Sequence, residues 1–445
     1  MEYLKALKMV DVLLVQPPLP PPMNAYVNDV VLTPPLGLCY IASCLREEFE
    51  VEILDSAILN LKPQEVKDRI RKLSPKVVGI STSTHTYKNA LSIAEIVKEN
   101  TGAYTVLGGP HVTFTAKEAL KHDEVDFVIR NEGEITMLEL CRALVKKEGL
   151  IEAVKGVSYR KDGEPFDNPP RPLICELDSL PFPARELTPL HLYKIPASIV
   201  TSRGCPSSCI FCAAKAMSGG VYRVRSPGNV VEEVKQIYER INPPFLFVAD
   251  DTFTVFEERT KQICRGLKEL GVRWVCESRV NTVNKRLISL MSQSGCFAIQ
   301  FGVESGSQKI LDSIKKGITL NQVKKVVQWC VEEGVQPVCS FMVPHPEDDW
   351  STITETENLM NELKKKGAQI YVSLTTPFPG TTLYAHAEEL GIVFLTDDTD
   401  EYNLATPVIR TRHLSVEDIE RAFDRLAAIS KETIPAEIPQ AKPPF

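Results

Sequence analysis

Short apolar runs alternate with amphipathic stretches from Asp11 to about Leu150. The amphipathic stretches "PLGLCYIASCLREE" and "KNALSIAEIVKEN" have the apolar spacing of helices. The apolar runs are typical of buried strands and read "VDVLLVQ", "EVEILD", "VVGIST", "YTVLGG" and "DFVIR". Apolar strands separated by helices predict a parallel sheet with helices on both faces. We therefore expect an α/β fold that starts with a doubly wound, Rossmann-like domain over residues 1–150.

The same alternation returns in the second half of the chain. Its apolar runs read "PASIVTS", "FLFVADDTF", "RWVCESRVN", "FAIQFGVESGS", "QPVCSFMVPHPED" and "AQIYVSLTTPFPG". Repeated strand–helix units of roughly thirty residues predict a partial (β/α)6 barrel over residues 196–385, with its active site at the carboxyl ends of the strands. Residues 386–445 are expected to form a small helical region, "LSVEDIERAFDRLAAIS", and a tail, "IPAEIPQAKPPF", that covers the barrel opening or a partner surface.

Residues 151–195 show neither the helical nor the strand-like spacing of apolar residues. They are rich in proline, as in "PFDNPPRPLICELDSLPFPARELTP". This composition predicts an extended linker between the two domains.

Composition narrows the class of protein. The chain has 445 residues, of which 43% are hydrophobic and 24% charged, so it is too mixed for a disordered protein. A net charge of −7 disfavours a general affinity for nucleic acid. No stretch approaches the roughly 20 apolar residues of a membrane span, and the first residues lack a signal-peptide cleavage region. We therefore expect a cytoplasmic protein without nucleic-acid or membrane partners.

Three of the twelve cysteines stand close together, at 205, 209 and 212 in "SIVTSRGCPSSCIFCAAK". The other nine are scattered and are expected to be small buried hydrophobes. Thiolates suit zinc and iron–sulfur clusters, and both commonly take four of them. A zinc site would need a fourth Cys or His nearby, and none follows closely. A cubane cluster held by three thiolates instead leaves one iron open to an external chelator.

Polar loops follow the strands of the first domain. They read "STSTHT", "LGGPHVTF" and "RNEGE". Small hydroxylated residues and paired glycines let a large ligand approach the backbone, although ordinary turns use the same residues. No GxGxxG sequence opens the first helix, which argues against a dinucleotide of the usual Rossmann kind.

Two sets of motifs resemble one known family. The order "TPPLGLCYIASCL", "GISTST", "LGGPHVTF" and "IRNEGE" resembles the cobalamin-binding domain that precedes the catalytic domain in one branch of the radical SAM superfamily. The Cys-x3-Cys-x2-Cys spacing, with Phe211 before the last cysteine, resembles the motif of that superfamily. The resemblance implies a [4Fe-4S] cluster on Cys205, Cys209 and Cys212, with S-adenosylmethionine on the open iron, and cobalamin as a further cofactor.

The resemblance also implies a binding site for base-off cobalamin at the carboxyl edge of the first sheet. The residues implied to line it are Ser81, Thr82, Ser83, Gly108, Gly109, Glu132 and Gly133. Many cobalamin domains supply a cobalt ligand from an Asp-x-His-x-x-Gly loop after the first strand, but this chain has "QPPLPPPMNAYVND" there, without histidine. The lower axial position is therefore expected to be empty, held by water or blocked, with Tyr26, His85 and His111 as alternative candidates.

Position and chemistry suggest contacts to S-adenosylmethionine for the residues at the barrel strand ends. Asp250 or Asp251 follows a buried strand and would accept from the amino group of the methionyl moiety; the alternative is that they are simple loop acids. Arg279 would pair with its carboxylate, with Ser278 donating beside it. Glu304 resembles the acid that binds the ribose or the amino group; the alternative is a salt bridge at the barrel mouth.

The resemblance implies an enzyme, a radical SAM methyltransferase that transfers a methyl group from methylcobalamin to an unactivated carbon. No second cysteine constellation follows residue 212, so a second cluster is not expected. Segments rich in Val, Ile, Glu and Lys suggest a thermophilic or archaeal protein. On that basis we expect a protein or peptide side chain as acceptor, as with the archaeal glutamine C-methyltransferase that acts on methyl-coenzyme M reductase, and an external electron donor. A radical SAM cyclase or ring-rearranging enzyme, or a non-catalytic cobalamin-binding sensor, is the alternative.

Overall fold

The computed structural model describes residues 10–27 and 31–431. The chain forms two compact units, one of residues 1–175 and 179–196, the other of residues 176–178 and 197–445. The predicted tail 434–445 lies outside the described residues. None of the helices within the described ranges combines the length and apolar character needed to cross a membrane.

Unit 1 is built on a seven-stranded sheet in the order β2-β1-β3-β4-β5-β6-β7. Strands β1 to β5 are parallel, and their apolar side chains are buried on both faces, as the unbroken apolar runs require. The strands are β1 Val12–Gln16, β2 Val51–Asp55, β3 Val77–Ser81, β4 Tyr104–Gly108, β5 Phe127–Ile129, β6 Val157–Lys161 and β7 Glu164–Asp167.

Within the described part of unit 1, five α-helices complete the doubly wound arrangement. They are α1 Leu36–Leu45, α2 Pro63–Leu73, α3 Tyr87–Asn100, α4 Pro110–Ala119 and α5 Glu134–Cys141. Two separate apolar clusters form on the two faces of the sheet, one around Leu13 and Ile93 and the other around Leu14 and Met137. The predicted α/β class and the Rossmann-like first domain are confirmed.

Strands β6 and β7 fall inside residues 151–195, where the sequence predicts an extended linker. They pair antiparallel with β5 and with each other and so lengthen the sheet. The strands are short, and β7 is largely exposed and polar, so its sequence lacks the apolar alternation by which strands are recognised.

Unit 2 contains a six-stranded, wholly parallel sheet in the order β8-β11-β12-β13-β14-β15. The described strands pair only with their sequence neighbours in this sheet and do not close into a ring, as a partial (β/α)6 barrel requires. The sheet strands are β8 Ser198–Ile199, β11 Leu246–Val248, β12 Trp274–Ser278, β13 Cys296–Glu304, β14 Gln336–Val343 and β15 Gln369–Leu374. Two small antiparallel pairs are β9 Ser202–Arg203 with β10 Arg223–Val224, and β16 Val393–Phe394 with β17 Ile409–Arg410.

Most helices of unit 2 contribute residues to a single apolar core that includes Trp274, Phe301 and Phe341. The helices described in unit 2 are α6 Ala214–Ser218, α7 Pro227–Ile241, α8 Glu257–Glu269, α9 Lys285–Gln293, α10 Gln308–Ser313, α11 Leu320–Glu332, α12 Trp350–Lys365, α13 Thr382–Ala385 and α14 Val416–Lys431. The predicted C-terminal helix corresponds to α14, which buries Ile419, Ala422 and Leu426.

Candidate active site

The three clustered cysteines lie on the loop between β9 and β10 of unit 2. Gly204 opens this loop at φ +90°, a conformation that favours glycine. A Cβ atom here would come within 2.4 Å of the Val221 carbonyl oxygen and 2.6 Å of the Ser218 Cβ. Glycine therefore lets the start of the loop pack directly on its own end.

Each of the three sulfur atoms has a polar neighbour. The Arg279 Nη1 donates to the Cys209 Sγ at 3.4 Å, and the Ala214 backbone N–H donates to the Cys212 Sγ at 3.4 Å. The Cys205 Sγ lies 3.8 Å from the Thr252 Oγ1. Burial raises the pKa of the Cys212 thiol, and Asp251, Cys209 and Cys205 add to this shift. The loop thus brings the three thiols together, with hydrogen-bond donors on two of them that would favour thiolates.

A cavity of about 260 Å³ opens beside these thiols at the carboxyl ends of the strands. Its lining combines sulfur, carboxylate, cationic and hydroxyl groups. The lining residues that the sequence predicts as part of the site are Cys205, Cys209, Phe211, Cys212, Asp251, Ser278, Arg279 and Glu304. Within the described residues, no three His, Cys, Asp or Glu side chains form a group that could hold a single metal ion.

Asp250 and Asp251 follow β11 but have different surroundings. The Asp250 carboxylate is buried and accepts from the backbone N–H and the hydroxyl of both Thr201 and Ser202, at 2.5–3.0 Å. Asp251 is exposed and lines the cavity. Desolvation and the neighbouring Asp250 raise the pKa of Asp251. Of the two predicted acids, only Asp251 has its carboxylate open to a ligand in the cavity.

Ser278 and Arg279, at the end of β12, are both buried and already hydrogen bonded. The Ser278 hydroxyl contacts the hydroxyls of Thr254 and Thr282. Besides its bond to Cys209, the Arg279 guanidinium donates through Nη2 to the Lys316 carbonyl oxygen. Arg279 therefore connects the cysteine loop to the segment after α10, and Nε is the guanidinium nitrogen that makes no hydrogen bond to a described residue.

Glu304, at the end of β13, forms a buried ion pair. The Lys316 Nζ lies 2.6 Å from its Oε1, and both residues line the cavity. The salt bridge that the sequence offered as an alternative is thus present, and it lies inside the candidate site.

The sequence reasoning missed Glu277 and Lys316 as cavity residues. Glu277 precedes Ser278, and burial, Asp251 and Asp250 together raise the pKa of its carboxyl. Its alternation with the buried Cys276 and Ser278 along β12 could have indicated a side chain on the cavity face. Lys316 carried no signal, because it lies in an ordinary "IKKG" turn.

In unit 1, the predicted loops after β3 and β4 contact each other. The Thr82 backbone N–H donates to the Gly108 carbonyl oxygen at 2.7 Å, and the Thr82 hydroxyl donates to the same oxygen at 2.8 Å. Gly109 has φ +112°, and a Cβ there would come within 2.5 Å of the Thr82 carbonyl oxygen. Ser81 ends β3, and the Ser83 hydroxyl contacts the Thr86 hydroxyl at 2.9 Å.

The loop after β5 lies beside them. The Asn131 backbone N–H donates to the Thr113 hydroxyl on α4 at 2.9 Å. Glu132 accepts from the Ile174 backbone N–H at 2.8 Å. Gly133 lies against α1, since a Cβ there would come within 2.9 Å of the Ile41 Cδ1. The structure therefore brings the seven predicted residues to one edge of the sheet.

His111, on α4, is buried between these loops. Its Nδ1 lies 3.2 Å from the Thr84 Oγ1, and its ring centroid lies 4.4 Å from that of Tyr87. Burial lowers the pKa of His111 to about 4. The half-buried His85 lies with its Nε2 3.4 Å from the Ser83 Oγ, and the Tyr26 side chain lies outside the described residues.

The fold and the two sites define the class of this protein. A model of the radical SAM superfamily matches residues 199–360, in unit 2, and a model of the B12 binding domain matches residues 27–141, in unit 1. The chain belongs to the radical SAM superfamily, in the branch that carries a B12 binding domain. It is an enzyme of the cobalamin-dependent radical SAM methyltransferase family, whose cofactors are a [4Fe-4S] cluster, S-adenosylmethionine and cobalamin.

Individual proteins are similar to this chain over most of its length. The chain is 35% identical to an uncharacterised methyltransferase of Pyrococcus horikoshii, over 95% of this chain and 93% of the relative. It is 28% identical to the anaerobic magnesium-protoporphyrin IX monomethyl ester cyclase of Rubrivivax gelatinosus, over 85% and 70% of the two chains. Its fold matches the radical S-adenosylmethionine methyltransferase TsrM of Kitasatospora setae with a TM-score of 0.75, at 16% identity, over 94% of this chain and 88% of TsrM.

Proposed function

We propose that this enzyme transfers a methyl group to an unactivated carbon by radical chemistry. The observation that carries the proposal is the cavity in unit 2, in which three cysteine thiols face carboxylate and cationic side chains. When bound, the cluster with S-adenosylmethionine supplies a carbon radical, and cobalamin supplies the methyl group.

The residues of the cavity fit the cluster and S-adenosylmethionine. Cys205, Cys209 and Cys212 would hold three irons, and the donors on Cys209 and Cys212 would stabilise their thiolates. The partnerless Nε of Arg279 supplies a donor that no described protein group uses. The donor set is therefore that of a cluster site with one open position.

The other cavity residues that the sequence predicts have roles that their chemistry supports. We assign Asp251 to the amino group of S-adenosylmethionine, because its carboxylate faces the cavity while that of Asp250 is saturated. Arg279 would meet the carboxylate through Nε, Ser278 would lie beside it, and Glu304 would accept from the ribose or the amino group. Phe211 forms part of the wall.

The loops of unit 1 fit a large ligand that approaches the backbone closely. Thr82 joins the two loops by its hydrogen bonds to the Gly108 carbonyl oxygen, and Gly109 has no Cβ that would collide with the Thr82 backbone where the loops meet. We propose that these loops, with Ser81, Ser83, Glu132 and Gly133, bind the nucleotide tail of cobalamin. His111 would support them from inside the unit, because its Nδ1 is already hydrogen bonded to Thr84.

Two classes of methyl acceptor are supported, each by a different observation. The sequence favours a protein or peptide side chain, such as the glutamine of methyl-coenzyme M reductase. The names of relatives support a small molecule instead: TsrM has been captured with tryptophan as substrate, and the Rubrivivax enzyme acts on magnesium-protoporphyrin IX monomethyl ester.

A cyclase is the second candidate function, favoured by the 28% identity to the Rubrivivax cyclase. It would use the same cavity and the same loops. The mass of the product separates the two functions, since a methyl transfer adds one methylene unit and a cyclisation adds none. Membership of an enzyme family disfavours the cobalamin-binding sensor.

The experiment is a single-turnover assay on the reconstituted enzyme. The protein is loaded anaerobically with iron, sulfide and cobalamin, and is then given a chemical reductant and S-adenosylmethionine with a deuterated methyl group. We expect 5'-deoxyadenosine by mass spectrometry, and a deuterated methyl group on an acceptor from a fractionated extract of low- and high-mass compounds. Cys209→Ala should abolish 5'-deoxyadenosine formation, whereas Cys175→Ala, which changes an exposed cysteine outside the cavity, should not. A fully loaded wild-type enzyme that forms no 5'-deoxyadenosine would contradict the proposal.

We further propose that the enzyme works in the reducing environment of the cytoplasm with an external electron donor. All twelve cysteines are free, as is usual for a reducing compartment. Reduction of the cluster requires an electron that the chain itself does not supply.

A further inference from the structure

The ion pair of Glu304 and Lys316 is buried inside the cavity. Glu304 is 6% exposed and Lys316 is 4% exposed. Their charged atoms lie 2.6 Å apart, and both side chains line the wall. Burying two charges is costly unless the pair is well formed, so such a pair is weak evidence for stability and needs another explanation.

The surrounding residues hold this pair in one geometry. A Cβ on Gly302 would lie 2.3 Å from the Glu304 Oε1 and 2.8 Å from the Lys316 Nζ. Only a residue without a side chain therefore leaves room for the pair above β13. The Lys316 Nζ also lies 5.6 Å from the centre of the Phe211 ring, within the range of a cation–π contact.

The backbone at both ends of the pair is also fixed. Glu304 has φ +73°, an uncommon conformation for a residue with a side chain. The Lys316 carbonyl oxygen accepts from Arg279, which also donates to Cys209. Lys316 is thus tied to the cysteine loop by two routes, through Phe211 and through Arg279.

We propose that Lys316 is a positioning residue for S-adenosylmethionine, which holds the Glu304 carboxylate aimed at the ligand. The inference rests on the proposed function, in which Glu304 accepts from the ligand. The Lys316 ammonium makes a charge-assisted hydrogen bond to the buried carboxylate. The narrow space above Gly302 and the contact of Lys316 with Phe211 restrict the pair to one orientation. Because Lys316 acts through Glu304, its removal should matter only while that carboxylate is present.

The test measures S-adenosylmethionine binding by anaerobic titration calorimetry with the reconstituted enzyme. We expect Lys316→Met to raise the Kd roughly tenfold or more, and Lys316→Arg to retain most of the affinity because it keeps the cation. Lys324→Met is the matched control, since Lys324 also lies 2.6 Å from a carboxylate oxygen, that of Glu362, but both side chains are half-exposed on the helices. Its Kd should equal that of the wild type.

A double variant decides how Lys316 acts. Glu304→Gln combined with Lys316→Met removes both charges and so avoids an unpaired buried carboxylate that could prevent folding. Its Kd should equal that of Glu304→Gln alone. Additive losses would instead mean that Lys316 contacts the ligand itself, and an unchanged Kd in a folded, iron-loaded Lys316→Met enzyme would mean a merely structural pair. Either result overturns the inference but leaves the proposed function standing, whereas a loaded wild-type enzyme that does not bind S-adenosylmethionine overturns both.

Discussion

The adjacent residues Asp250 and Asp251, which follow β11, have different roles. Asp250 lies in the protein interior and accepts four hydrogen bonds from Thr201 and Ser202, between β8 and the cysteine loop. Asp251 faces the cavity and has no such network. Charge-assisted hydrogen bonds to buried backbone N–H groups are strong, so Asp250 fixes the start of the cysteine loop.

The two aspartates should therefore give different phenotypes when each is changed to Asn. Asp250→Asn loses a buried, fully bonded charge and should lower the free energy of unfolding by about 2–4 kcal/mol, with lower iron loading. Asp251→Asn should change stability by less than about 0.5 kcal/mol but weaken S-adenosylmethionine binding roughly tenfold. Urea unfolding, iron analysis and calorimetry measure the three effects. Equal iron loading and equal ligand affinity in both variants would contradict this division.

At the scale of elements, the site in unit 1 depends on how loops pack on helix ends. The loops after β3 and β4 share hydrogen bonds through Thr82, and His111 at the start of α4 fills the space beneath them against Thr84 and Tyr87. The histidine is held neutral by burial, with its pKa lowered to about 4. A protonated ring would put an uncompensated charge into this packing.

This packing predicts a pH dependence of stability. The pKa of His111 is about 4 in the folded chain and about 6.5 in the unfolded chain. The stabilisation that comes from keeping His111 neutral is therefore complete above pH 6.5, and it is lost from the free energy of unfolding as the pH falls toward 4. Between pH 7 and pH 5 the free energy of unfolding of the wild type should fall by about 2 kcal/mol more than that of His111→Phe. This variant keeps the ring contact with Tyr87 but has no group that titrates at this position. Urea unfolding of the cofactor-free protein at both pH values measures the difference, and parallel losses in the two proteins would contradict the assignment.

At the scale of the whole molecule, the two sets of site residues fall in separate compact units. The loops proposed for cobalamin lie in residues 81–133, and the cluster and S-adenosylmethionine residues lie in residues 205–316. Each unit has its own sheet and its own apolar core. A change confined to one site should therefore leave the other site able to load its cofactor.

Separate loading can be tested with one substitution in each unit. Gly109→Ala forces a Cβ against Thr82 at positive φ and should abolish most cobalamin binding while iron loading stays at the wild-type level. Cys209→Ala should abolish most iron loading while cobalamin binding stays at the wild-type level. Gly149→Ala is the control for backbone strain, since Gly149 also has positive φ but no atom within 4 Å of a Cβ. Iron analysis and visible absorption of bound cobalamin provide the readouts, and loss of both cofactors in Gly109→Ala would argue against independence.

Much of the fold could be predicted because its signals are local. The apolar runs of β1 to β5 and of the barrel strands mark buried parallel strands, and the spacing of Ile419, Ala422 and Leu426 marks an amphipathic helix. Strand β7 could not be predicted, because an exposed edge strand with a polar sequence is stabilised by pairing with β6 and not by its own apolar pattern.

The alternation of strands and helices, and the three cysteines without a fourth partner nearby, can be identified from the amino-acid sequence, because period and spacing are properties of the chain. The folded chain was needed to show which of two adjacent aspartates faces the cavity, and that Lys316, and not its neighbour Lys315, lines it beside Glu304. Such choices depend on side-chain direction and on contacts between residues far apart in the chain, such as that of Arg279 with Cys209. No local pattern encodes those contacts, so they appear only once the sheet has brought its strand ends together.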